Sequence, residues 1–142
     1  MAERLFPIGI QTFEKIREDN YAYVDKTAQV YRLTHGSSTY FFLSRPRRFG
    51  KSLLISTLES YFEGRRDLFE GLAIAELEKE WKSYPVLHLD LTGTNYHEPD
   101  ALRQTLNLSL IQWEKIYGHG EGEETLGDRF MGIIKRAREQ AG

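Results

Sequence analysis

Between Ser44 and Ser52 the chain reads SRPRRFGKS, with four cationic side chains and no carboxylate. Gly50-Lys51-Ser52 is the chemically suggestive part. A glycine lets the backbone approach a ligand closely, a lysine offers a compact cation, and a serine hydroxyl can ligate a divalent metal. Such a triplet suits phosphate when it opens a helix, because the first helical N–H groups lack intrahelical partners and the helix dipole favours an anion there. Lys51 would then reach the β- and γ-phosphates of a nucleotide and Ser52 would hold Mg²⁺. Arg47 and Arg48 flank the triplet and can bind phosphate oxygens in a bidentate manner.

The flanking pattern supplies the elements such a loop needs. Tyr40 to Leu43 is a short apolar run that predicts a buried strand, and Lys51 to about Phe62 predicts an amphipathic helix with Leu54, Leu58, Tyr61 and Phe62 inward. Strand, loop, Gly-Lys-Ser and helix together make a P-loop pattern. The usual first glycine, five residues before Gly50, is Arg45 here, and Pro46, Arg47 and Arg48 stiffen the loop. A bland alternative is a basic loop ahead of an ordinary helix.

The second strand expected is Pro85 to Leu91, PVLHLDL, whose near-continuous apolar character fits a parallel sheet. Asp90 at its end is a candidate Mg²⁺ contact, since ligands collect at the carboxyl ends of such strands. Its competing role is to cap the turn Thr92-Gly93-Thr94-Asn95 through backbone N–H groups. His88 has no companion ligand and reads as a core or interface residue.

Elsewhere the pattern is scaffold. Helices are expected at Gln11–Glu18, with Phe13 and Ile16 inward, and at Thr27–Thr34 after a capping Asp25. Tyr21 to Val24 is strand-like, residues 67–71 form a turn or short helix, and Ala75 to Ser83 predicts another helix. A long helix should follow Pro99-Asp100 to about Tyr117, and Thr125 should cap the last one. Between them, residues 118–124 form a polar, glycine-rich linker expected to be the most mobile segment.

The 142 residues carry a formal net charge of −2, so global charge gives no reason to invoke nucleic acid or a membrane. No cysteine is present, which excludes disulfides and thiolate metal sites and fits a cytoplasmic location. No apolar run reaches membrane-spanning length.

With these residues in place, the chain resembles the AAA-ATPase-like domain of bacterial genomes. The likeness rests on residues 7–27 (PIGIQTFEKIREDNYAYVDKT), 40–64 with the RPRRFGKS loop, LFEGLAI at 68–74 and YPVLHLDLTG at 84–93. It covers most of residues 7–95 and thins out over the last two helices. The resemblance implies a P-loop NTPase in which Arg47, Arg48, Gly50, Lys51 and Ser52 bind ATP and Mg²⁺. It also implies that Asp90 is not the acid that orients the attacking water. That acid lies in a later strand reading roughly LIDEYD, beyond Gly142, and a nuclease-like domain of the PD-(D/E)xK type often follows.

The expectation is therefore a three-layer α/β domain with a P-loop NTPase-type parallel sheet, present as its N-terminal part. Residues 1–38 would be lead-in helices and 39–142 the nucleotide-binding core. Residues 1–142 alone would bind ATP but hydrolyse it slowly or not at all. The alternative is a non-catalytic regulatory or interaction module whose arginine-rich loop binds phosphate or nucleic acid backbone.

Overall fold

The computed structural model describes residues 3–93 and 95–142. Met1 and Ala2, at the head of the lead-in, and Thr94, in the turn after Asp90, lie outside the described residues. Among the described residues six α-helices follow in order: α1 (Phe13–Glu18), α2 (Thr27–Thr34), α3 (Lys51–Phe62), α4 (Ala73–Leu77), α5 (Ala101–Tyr117) and α6 (Leu126–Ala141). A 3₁₀ helix, Arg66–Phe69, separates α3 from α4.

Among the described residues there is no strand, and this overturns the expected parallel sheet. Residues 21–24, 40–43 and 85–91 run without regular structure. Tyr40 and Phe42 are each 94% exposed, the opposite of a buried strand. The physical reason is that β propensity measures how side chains suit a pleated surface. A strand exists only where its N–H and C=O groups meet a neighbour, and no described segment provides one. The apolar runs thus had the composition of strands without a ladder to join.

The chain divides into two compact units, Met1–Tyr84 and Pro85–Gly142. In the first, α1 packs on α3 and on the 3₁₀ helix, and α2 packs on α4. Phe13, Val30, Leu68, Phe69, Leu72 and Ile74 form its core, with Phe13 and Phe69 ring centroids 4.7 Å apart. Phe13 and Ile16 are buried as their three-residue spacing predicts.

Polar side chains fix how these short helices meet. Asp25 Oδ1 accepts from the Thr27 amide at 2.9 Å and the Thr27 hydroxyl at 2.6 Å, while its Oδ2 accepts from the Ala73 amide at 2.7 Å. Thr27, fully buried, in turn accepts from the Ile74 amide at 3.1 Å. Asp25, expected as the N-cap of α2, sits one residue ahead of the N-cap Lys26; it binds the first amide of the helix and ties it to the start of α4. Arg17 performs a similar task from α1, donating to the Leu68 and Glu70 carbonyls at 2.7 and 2.6 Å.

The helix expected at residues 75–83 ends much earlier, because α4 stops at Leu77. Glu78 is nearly buried and accepts from the Tyr61 hydroxyl at 2.6 Å and from the Glu80 amide at 3.0 Å. A side chain that captures a backbone N–H two residues on competes with helix continuation. Trp81 then packs edge-on against Tyr61 rather than along a helix face.

In the second unit α5 packs on α6, burying Ala101, Leu110, Ile133 and Ala137. Trp113 faces Phe130 with centroids 5.8 Å apart. Thr125 caps α6, accepting from the Asp128 amide at 3.1 Å and donating to the Asp128 carboxylate at 2.7 Å. The segment 118–124, read as a mobile linker, is pinned instead. Arg136 donates to the Tyr117 and Gly118 carbonyls and pairs with Glu123 through two nitrogens. Among the described residues no helix is long and apolar enough to cross a membrane.

Candidate functional site

The loop ahead of α3 takes its shape from two left-handed residues. Gly50 has φ 75° and ψ 19° and stands directly before Lys51, the first residue of α3. Arg48 also has a positive φ, 65°, although it carries a side chain. A non-glycine residue there costs roughly 1–2 kcal/mol, strain that the surrounding structure must hold. Arg47 and Arg48 form the turn that leads into Phe49 and Gly50.

Gly50 offers no side chain to cap α3, and among the described residues no side-chain cap bond is made there. The first bond of the helix runs from the Leu54 amide to the Gly50 carbonyl at 2.9 Å. The start of α3 is thus open, exposed, and surrounded in sequence by Arg45, Arg47, Arg48 and Lys51. Lys51 Nζ donates to the Arg45 carbonyl at 2.7 Å, which folds the ammonium back across the loop. Ser52 is exposed in the first helical turn. All five predicted phosphate-site residues, Arg47, Arg48, Gly50, Lys51 and Ser52, lie in this one segment, although the strand expected ahead of it is absent. These donors fit a polyphosphate: several cations, open helical N–H groups and no nearby acid in the loop to repel it. A single hydroxyl suits Mg²⁺, which keeps most of its ligands as waters and phosphate oxygens.

The loop also borders a cleft of about 640 Å³. Arg45, Phe49 and Gly50 supply one edge, and Leu53, Leu54 and Thr57 of α3 supply another. A further wall comes from the lead-in and from α2, including Phe6, Val24, Gln29 and Leu33. Sequence reasoning missed this wall. Phe6-Pro7 and Val24 sit in segments without periodicity, so nothing in the sequence marked them as lining residues.

Asp90 sits in the second unit and serves its turn. Its Oδ1 accepts from the Thr92 amide at 2.8 Å and the Thr92 hydroxyl at 2.7 Å. The Thr92 hydroxyl, followed by its amide, holds the Asp90 carboxyl below the usual carboxylate range. This is the capping geometry weighed against metal binding for this residue.

Glu114, His119 and Glu123 place ligand-type atoms within 4.8 Å of one another. Both carboxylates are already claimed. Arg129 grips Glu114 through Nε and Nη2 at 2.7 and 2.8 Å, and Arg136 grips Glu123. Two guanidinium charges beside the cluster oppose a cation, and the grouping reads as structural.

A family model for predicted AAA-ATPases matches residues 7–142. The chain belongs to that family. The match runs through α5 and α6, so membership of the predicted AAA-ATPases extends beyond the region where the sequence resemblance was strongest. One relative in Azotobacter chroococcum mcd 1, described as "Uncharacterized protein in vnfD 5'region", is 38% identical over 143 residues. The alignment takes in all of this chain but only 28% of that relative's length. No solved structure matches this AAA-ATPase-like chain.

Proposed function

We propose that the chain binds ATP with Mg²⁺ at the loop Arg45–Ser52. The observation that carries this reading is the uncapped start of α3, set at a left-handed glycine and flanked by four cations. In this reading the first amides of α3 donate to phosphate oxygens, and Arg47 and Arg48 neutralise charge from the side. Lys51 leaves the Arg45 carbonyl for the outer phosphates, and Ser52 supplies one oxygen to Mg²⁺. Positioning and charge stabilisation are most of what phosphoryl transfer asks of a protein. Hydrolysis also needs an acid to orient water, and no such acid lies in the loop. We therefore assign binding to this segment, with turnover dependent on an acid that the loop itself does not supply. Membership of the predicted AAA-ATPases supports the nucleotide as ligand.

Calorimetry with a non-hydrolysable ATP analogue, with and without Mg²⁺, tests the proposal. Binding that requires Mg²⁺ and disappears in Lys51→Ala while the protein stays folded is the expected result. Binding that ignores Mg²⁺ and the nucleotide, and instead falls steeply with salt on single-stranded nucleic acid, would replace it with the phosphate-backbone module.

A further inference from the structure

A second cavity lies at the far end of α3 from Lys51, and its volume of about 390 Å³ is in the range of small-molecule sites. Tyr31 and His35 line it from the end of α2, and Tyr61 and Phe62 from the end of α3. The segment after α4 adds Glu78, Trp81 and Tyr84. The rings brace one another. Tyr61 stands edge-on to Phe62 and to Trp81, with centroids 5.2 and 5.7 Å apart. Phe62 is edge-on to Tyr84 at 6.2 Å, and Tyr31 stacks on His35 at 3.9 Å. Aromatic walls held in place this way attract a cation through the ring quadrupole.

Glu78 gives the cavity its charge. Its side chain is only 7% exposed, and burial opposes its ionisation. The Tyr61 hydroxyl at 2.6 Å and the Glu80 amide at 3.0 Å outweigh that and hold the carboxyl below its ordinary 4.5. Burial and the bond to Glu78 push the Tyr61 hydroxyl up to about 12, so it stays protonated and donates. A buried anion is costly without a counter-charge. Among the described residues no lysine or arginine nitrogen pairs with Glu78: Lys82 pairs with Glu80 at 2.8 Å, and Lys79 donates to the Glu76 carbonyl at 2.6 Å. His35 Nε2 does reach Glu78, at 3.3 Å, but is positive only when protonated.

We infer that this cavity binds a quaternary ammonium cation, its charge set against Glu78 and its methyl groups against the aromatic walls. Hydrogen-bond capacity favours the methylated form. A primary ammonium brings three N–H donors, and a buried donor left unpaired is costly. Both Glu78 oxygens are already engaged, Oε1 by the Glu80 amide and Oε2 by the Tyr61 hydroxyl. A trimethylammonium group asks for no hydrogen bond and buries its methyls against the rings. The inference does not rest on the phosphate reading, because no lining residue of this cavity belongs to the Arg45–Ser52 loop or to the cleft beside it.

Calorimetry on the full-length protein with choline, ethanolamine and the neutral carbon isostere of choline tests this. Ethanolamine keeps the charge without the methyl groups, and the isostere keeps the shape without the charge. Choline should bind about tenfold or more tighter than either. Glu78→Gln keeps an acceptor for Tyr61 and removes the charge, so it should erase the margin over the isostere. Tyr84 is 50% exposed and outside the core, so Tyr84→Ala should stay folded and weaken choline about threefold or more. Tyr84→Phe, which keeps the ring, should bind choline as the wild type does. Equal binding of choline and its isostere overturns the inference, and so does tighter binding of ethanolamine. Absence of choline binding to a folded wild type overturns it as well. These outcomes are read on the wild type, so they stand even if Glu78→Gln fails to fold. A short peptide bearing trimethyllysine, run beside choline, separates the sources of the cation: tighter binding of choline supports a free small molecule, and tighter binding of the peptide supports a methylated side chain in the same cavity.

Discussion

Lys51 and Arg45 close the loop on itself, the ammonium of one donating to the carbonyl of the other at 2.7 Å. The bond is exposed, so it contributes little to the fold, and its partner is a neutral oxygen that a phosphate oxygen can outcompete. Lys51→Met should therefore change stability by no more than about 0.5 kcal/mol in a thermal melt. The same variant should lose about 2 kcal/mol or more of Mg²⁺–ATP binding, the usual scale for removing one member of a close charge pair. A large drop in melting temperature would mean that Lys51 is structural.

Arg48 has φ 65°, which a glycine adopts freely. Arg48→Gly should relieve strain in the folded state while adding unfolded-state entropy, leaving stability within about 1 kcal/mol of wild type. Phosphate binding should nevertheless weaken, because a guanidinium is lost. Opposite or uncoupled effects on melting and on calorimetric affinity are the expected signature. Equal affinity in Arg48→Gly would remove Arg48 from the site.

Asp25 joins α2 to α4 through three hydrogen bonds. Asp25→Ala leaves the Ala73 amide and Thr27 without this partner and should cost about 1–3 kcal/mol in urea unfolding. Burial opposes its ionisation, yet the bonds from Thr27 and Ala73 together hold its carboxyl below the ordinary value of 3.8. Because the folded value is the lower one, this contribution is present above pH 3.8 and fades as acid drives the folded carboxylate to protonate. Asp25→Ala should flatten that acid limb.

Glu114 is the stronger case in the second unit. The Arg129 hydrogen bonds, outweighing burial, lower its carboxyl from 4.5 to about 2. The sign follows directly: stability from this pair is complete above pH 4.5 and is lost as pH falls toward about 2. Trp113 is the neighbouring reporter, packed on Phe130. Its fluorescence should track an acid transition that Glu114→Gln largely removes. An unchanged acid transition in that variant would mean the Glu114–Arg129 pair adds nothing to the packing of α5 on α6.

Local sequence determined the helices and their caps, since these depend on residues three or four apart. The bounds of α2 and α3, the capping by Thr125, the inward faces of Phe13 and Ile16, and Gly50 before α3 were all legible for that reason. The loop cations were legible too, because SRPRRFGKS is contiguous. Strands were not, since residues 40–43 and 85–91 carry β-type composition but pairing is a property of two distant segments. Tertiary contacts likewise ended α4 at Leu77 through Glu78, and pinned residues 118–124 through Arg136. They alone brought Phe6, Val24 and Gln29 to the edge of a loop distant from them in sequence, because a cleft is made by packing and leaves no period in the chain.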